Sequence, residues 1–184
     1  MGNSLPMKLV AFAIALSIAI QMDAAAEPSK PLHPKYPVIE GNYRMTEDWS
    51  VTLDQKYNRR IEDGNLVIWR PGFTIWTIVW NAKEGETPEQ RLKHLKEGIS
   101  DKATDVTEEK EGKVLKLSYR LNEASDDKRQ PAFYGFAVGP AGHVQISIYF
   151  DDAKELAKAQ RIFKSLTPVE PKKEPAPKPG SPEK

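Results

Sequence analysis

Cysteine is absent from the 184 residues. That excludes a disulfide framework, thiolate metal sites, a cysteine nucleophile and the lipid-modified cysteine of bacterial lipoproteins. A fold without such staples is held by packing alone. Net charge is almost absent as well: 27 Lys and Arg against 26 Asp and Glu leave +1, so no long-range field draws the chain to nucleic acid or to an anionic membrane. Nucleic acid is therefore not an expected partner. Histidine is scarce, with His33 in a proline-rich stretch, His94 on a predicted helix and His143 closing a glycine-rich turn. Nothing spaces the three as ligands of one metal, and each is expected at the surface or in a turn. The sequence also lacks a phosphate-binding glycine loop, a dinucleotide fingerprint, a nucleophile elbow and the paired histidines of zinc proteases. No cofactor and no metal are expected.

Long hydrophobic runs are missing too. A spanning helix needs about 20 apolar residues, and the longest run here, residues 9–20, ends before Gln21 and Asp23. Lys8 precedes it and Ala24-Ala25-Ala26 follows it, completing the three regions of a secretory signal. Residues 1–26 are thus expected to be a signal peptide cut between Ala26 and Glu27, which places the mature chain in the periplasm or the medium. An uncleaved anchor is the alternative, and the only membrane contact expected. Met7 offers a second start beside Met1.

Proline, by contrast, is plentiful and marks off the middle of the chain. Pro28, Pro31, Pro34 and Pro37 make residues 27–42 read as a linker. Pro168, Pro171, Pro175, Pro177, Pro179 and Pro182, interleaved with Lys172, Lys173, Lys178 and Lys184, make 168–184 read as a tail. Such a segment has too few apolar side chains to offset its ordering entropy, and its prolines favour extended, polyproline-like backbone. A solvated tail is expected, with a spacer or docking strand as its functional alternative. Residues 43–167 remain as one globular domain.

Inside those bounds the hydrophobic pattern is regular. Trp49, Val51 and Leu53 alternate with polar residues, and residues 57–61 lead into the hairpin signal Asp63-Gly64. Pro71-Gly72 turns a strand over 66–70 into another over 73–80. Thr87-Pro88-Glu89-Gln90 carries a capping threonine, a first-turn proline and a capping-box glutamine ahead of Leu92, Leu95 and Ile99 on one helical face. Hairpins over 104–121 and 132–150 follow. Asp151-Asp152 then caps a helix bearing Leu156, Ala159, Phe163 and Leu166. Strands joined this closely pair antiparallel, so the expected fold is α+β: a mostly antiparallel sheet flanked by helices in an α/β/α sandwich.

The opening Tyr43-Arg44-Met45-Thr46-Glu47-Asp48-Trp49-Ser50-Val51, the glycine-turned meander, the mid-chain helix and the ending from Ile146-Ser147-Ile148-Tyr149-Phe150-Asp151-Asp152 to Ser165-Leu166 resemble the PsbP, Mog1 and DcrB-like group of small α/β/α proteins. The resemblance spans 42–167 and lies in pattern and order. It implies an adaptor, assembly factor or envelope protein, and it carries over no catalytic residue.

Two features remain for chemistry. Asp126-Asp127 and Asp151-Asp152 are carboxylate pairs, the first in a polar loop and the second where a helix needs a cap, which favours structural roles. The strand over 73–80 is apolar on both faces: Phe73, Ile75, Thr77 and Val79 on one, Thr74, Trp76, Ile78 and Trp80 on the other. Such a strand belongs at the centre of a sheet. The first reading is that helices cover both sides and the tryptophans are core. With only two helices to share, the functional alternative is that the face of Trp76 and Trp80, joined by Trp69 from the neighbouring strand, stays partly open as a surface for an envelope protein or an apolar or glycan ligand, with one of Trp76 and Trp80 in the core and the other partly exposed. The expected function is accordingly a non-catalytic binding or adaptor module of the envelope. The alternative is a secreted hydrolase or lyase whose carboxylates meet only in the fold. On the matter of address, mass spectrometry of protein recovered from the envelope or medium should find a chain that begins at Glu27. An intact Met1 or Met7 start on membrane-bound protein would instead mean a retained anchor.

Overall fold

A computed structural model describes residues 31–123 and 130–169. The expected signal peptide, the first four linker residues, the Asp126-Asp127 pair and the tail from 170 onward lie outside the described residues. Within them the chain is α+β, a mostly antiparallel sheet with two short helices.

The strands are β1 (Val38–Arg44), β2 (Trp49–Glu62), β3 (Asn65–Arg70), β4 (Phe73–Asn81), β5 (Thr104–Glu111), β6 (Val114–Leu121), β7 (Ala132–Gly139), β8 (Gly142–Phe150) and the short β9 (Thr167–Pro168). Helix α1 (Pro88–Glu97) separates β4 from β5, and α2 (Leu156–Lys164) separates β8 from β9. The sheet order is β1-β2-β3-β4-β8-β7-β6-β5, with β9 paired to the first residues of β2. The hairpins form where the turn residues predict. Asp63 and Gly64 both take positive φ, 50° and 79°, the conformation a two-residue turn needs to match strand twist, and Gly72 follows Pro71 at φ 75°.

Alternation along β7 separates two hydrophobic clusters. Phe133 and Ala137 join Ile75, Ile146, Ile148 and Phe150 in a core closed by Ala159, Ile162 and Phe163 of α2 and by Leu166 just past it. Tyr134, Phe136 and Val138 point the other way with Leu115, Leu117 and Tyr119, where Leu92, Leu95 and Ile99 from α1 and its C-terminal end rest on them. The capping box holds the start of α1 as expected: Gln90 N–H donates to Thr87 Oγ1 (3.2 Å) and Thr87 N–H donates to Gln90 Oε1 (2.9 Å).

Three expectations need correction. The linker assigned to 27–42 already contains strand: Val38 to Asn42 lie in β1, paired with Asn58 through Thr52 of β2. Upstream of it, residues 31–37 bend back over the sheet, where the side chain of Asn58, 0% exposed, donates to the carbonyls of His33 and Tyr36 (3.0 and 3.1 Å) and accepts from His33 N–H (2.7 Å). Buried amide groups require partners, and the prolines of this strap tolerate the role because its contacts use mostly carbonyls. The first two residues assigned to the tail belong to the fold, since Pro168 pairs with Trp49 and Val169 N–H donates to Asp48 O (2.8 Å). His143, finally, is not in a turn at all. It is a buried residue of β8, because Gly139 pairs directly with Gly142 and leaves only Pro140-Ala141 in the turn.

Phe163 of α2 seats its ring over Gly135, where an added Cβ would come within 2.6 Å of Phe163 Cδ2. Gly135→Ala should therefore cost about 1–3 kcal/mol by overpacking, read as a lower midpoint in thermal or denaturant melts, and Phe163→Leu in the same chain should recover part of the loss. A Gly135→Ala protein as stable as the parent would contradict this seating of α2.

Candidate functional site

The register that builds the core also fixes what stands on the opposite side. On β4, Thr74, Trp76, Ile78 and Trp80 face away from α2. Their neighbours on β8 are Tyr149, Ser147, Gln145 and His143, and on β3 Trp69 stands opposite Thr74 and Val67 opposite Trp76. All three tryptophans singled out from the sequence thus share one face. Helix α1 makes its sheet contacts on β6 and β7, and α2 lies on the other side. Between α1 and the 31–37 strap there is a band of β3, β4 and β8 that neither described helix covers.

The three indoles are not equivalent. Trp69 is already engaged: Tyr36 of the strap meets it edge-on at 4.9 Å between ring centroids, and the Arg60 guanidinium sits over it at 4.7 Å. Trp76 is half-buried, with Ile78 beside it in the same state. Trp80, near the end of β4, is 52% exposed, its ring lying nearly parallel to His143 at 6.2 Å. The open surface is therefore Trp76, Ile78 and Trp80, with the hydroxyl and amide groups of Thr74, Ser147 and Gln145 interleaved. It is apolar enough to reward contact and polar enough to orient a ligand.

His143 marks the border between this surface and α1. Its Nδ1 is buried and has no hydrogen-bond partner among the described residues. Burial, with the Arg91 charge nearby, pushes its pKa from 6.5 down to about 4, against a smaller opposing effect of Glu86. Arg91 is itself buried on α1 and binds Glu86 through two bonds of 2.9 and 2.7 Å. At the other end of α1's cluster, the Tyr134 hydroxyl bonds Glu123 and meets the Tyr149 hydroxyl at 3.1 Å. Burial and these contacts hold the Tyr134 pKa well above the ordinary phenol value, and Tyr119, stacked on Tyr134, is raised by burial too. Neither tyrosine is poised to act as a base near neutral pH.

The remaining residues of chemical interest are dispersed. His94 is exposed on α1 and His33 is exposed in the strap. Asp152 caps the turn that precedes α2, accepting from Lys154 N–H at 2.9 Å, as a capping role requires. A cavity of about 130 Å³ lies between α2 and the β5–β6 edge, lined by Thr107, Glu109, Lys116, Ser118, Gln160 and Lys164 over the rings of Phe133 and Phe163. Its one carboxylate, Glu109, is tied to Lys164 at 3.0 Å, while the buried Lys116 ammonium bonds Glu111 at 2.6 Å. Two carboxylates do not converge there. Among the described residues no group of three or more His, Asp or Glu side chains is placed to hold a metal ion. Sequence reasoning placed the tryptophan face but missed His143, whose neighbours on β4 and α1 are set by long-range register.

No protein-family model matches this chain, and no curated protein matches it either.

His143 gives a prediction with a definite sign. Between about pH 6.5 and pH 4 the unfolded chain binds a proton that the folded protein refuses, so this residue's contribution to stability is complete above that window and is lost as pH falls through it. At about 1.4 kcal/mol per pKa unit the loss is on the order of 3–4 kcal/mol. Melting curves recorded across that window should show the decline, and His143→Gln should flatten it. An acid slope identical in parent and variant would place the titration elsewhere.

Proposed function

We propose that this chain is an exported, non-catalytic binding or adaptor module of the cell envelope, which engages an envelope protein or an apolar or glycan ligand through the β3–β4–β8 band. The observation that carries the reading is the state of Trp80 and its neighbours: a half-exposed indole, a half-buried indole and Ile78 in line on a central strand that neither described helix covers on this side. Contiguous exposed apolar surface of this kind is costly to leave in water and usually marks an interaction site. The secretory pattern of residues 1–26 supports the address. Helices packed on opposite sides of an antiparallel sheet support assignment to the three-layer PsbP, Mog1 and DcrB-like group, whose members are mostly adaptors and envelope proteins.

Substitution separates a binding tryptophan from a core one. Trp49 is 1% exposed, so Trp49→Ala should cost about 3–5 kcal/mol, a large part of the roughly 5–15 kcal/mol that holds a domain folded. Trp80→Ala should leave the melting midpoint nearly unmoved and weaken association with a ligand captured from envelope extracts by about 2 kcal/mol or more, as aromatic anchors do. Trp76→Ala should fall between the two in stability and match Trp80→Ala in binding. Melting that drops as far for Trp80→Ala as for Trp49→Ala, or capture that is indifferent to both Trp76 and Trp80, would sink the binding-surface reading.

A further inference from the structure

The tryptophan band and the last described residue of the chain lie at the same end of the sheet. Pro168 pairs with Trp49 and stands beside Gly139. Gly139 pairs with Gly142, which pairs with Asn81, the residue after Trp80. Val169, fixed by its bond to Asp48 O, thus releases the chain about two strands from Trp80, on the α2 side. Crossing two strand spacings of about 4.8 Å and a layer about 10 Å deep takes about five or six residues at the roughly 3.1 Å per residue of a polyproline helix. Residues 170–184 are fifteen in number, so the stretch holding Pro175, Pro177, Pro179 and Pro182 is the part left to lie along the band.

Its dimensions and chemistry fit. The open line from Trp80 to Trp76 is four strand residues, about 13 Å at roughly 3.3 Å each. Pro175 to Pro179 in polyproline form spans about 12 Å. Aromatic-lined surfaces accept proline-rich strands because the strand is already extended and loses little entropy on docking. Asp63, in the turn at the Trp80 end of the sheet, and Glu84, just past β4, are exposed carboxylates, and Lys178 is the one charged residue between Pro175 and Pro182.

We propose that segment 170–184 folds back in cis as a polyproline strand on Trp80 and Trp76, a built-in occupant of the band that an outside ligand has to displace. This rests on the reading of that band as a binding surface, and it makes a proline-rich extended segment the chemistry the surface accepts.

Acrylamide quenching of tryptophan fluorescence tests it on the mature chain. The chain with its native tail should resist quenching, and a full-length variant carrying Pro175→Ser, Pro177→Ser, Pro179→Ser and Pro182→Ser should lose that protection with a red-shifted emission. Those changes touch none of the described core. A synthetic peptide of residues 170–184 should then bind a chain ending at Val169, shown folded by circular dichroism, and restore protection, but should not bind the same chain with Trp80→Ala. Equal quenching of the native and serine tails would overturn the proposal, as would protection that vanishes on dilution, which assigns the tail to a second copy. If the chain ending at Val169 keeps a quenchable tryptophan and captures a ligand but ignores the peptide, the tail proposal fails and the binding surface stands. If that chain has no quenchable tryptophan, both fail.

Discussion

The arrangement depends on a shortage of helix. Eight strands side by side, at about 4.8 Å each, make a sheet close to 38 Å wide, whereas a helix with its side chains is about 10–12 Å across and shields two or three strands. One helix on each face cannot cover it. The chain meets the shortage differently in different places. At the β5–β6 edge on the α2 side the positions are polar or charged, with Thr107 and Glu109 exposed and Lys116 and Ser118 buried, so little apolar surface needs shelter. On the other side the strap of residues 31–37 covers β2 and Trp69, and α1 covers β6 and β7. Among the described residues Tyr36, Val38, Ile61 and Val106 are exposed as well, each on a different element, whereas β4 lines up Trp76, Ile78 and Trp80 with missing cover, and this run makes it the functional candidate.

Electrostatics mark the same border. Helix α1 buries one full side chain, Arg91, and rests Leu92, Leu95 and Ile99 only partly covered on its cluster. A buried ion is tolerated only when paired, which the two bonds to Glu86 provide. Beside it, His143 stays neutral beneath Trp80. The open band, the lightly seated helix and the acid-sensitive imidazole are therefore neighbours, with the buried His143 paired to Trp80.

Much of this was legible in the sequence, and the limits have physical causes. Local signals succeeded: Asp63-Gly64 and Pro71-Gly72 turned the meander, Thr87 and Gln90 began α1, and strict alternation along 73–80 put Trp76, Ile78 and Trp80 on one face of a central strand. Such features depend on neighbours a few residues away. The failures were all long-range. Strand β1 and its strap looked like linker because Pro31, Pro34 and Pro37 dominate the composition, while what holds them is Asn58, more than twenty residues downstream. His143 looked like a turn residue because the glycines around it suggested a longer loop. Its neighbours on β4, β7 and α1, among them Trp80, Phe136 and Arg91, bury it. Trp69 belonged to the right face, but its engagement by Tyr36 could not be seen before the strap was placed.

The central claim is that β4 presents an uncovered aromatic face in the folded domain, and the four indole N–H groups report on it directly. In a chain ending at Val169, two-dimensional NMR with a soluble paramagnetic relaxation agent should broaden the Trp80 indole resonance strongly and the Trp76 resonance partially, and leave Trp49 sharp. A Trp80 indole as well protected as Trp49 would mean that the face is covered by the domain itself, and would contradict the account.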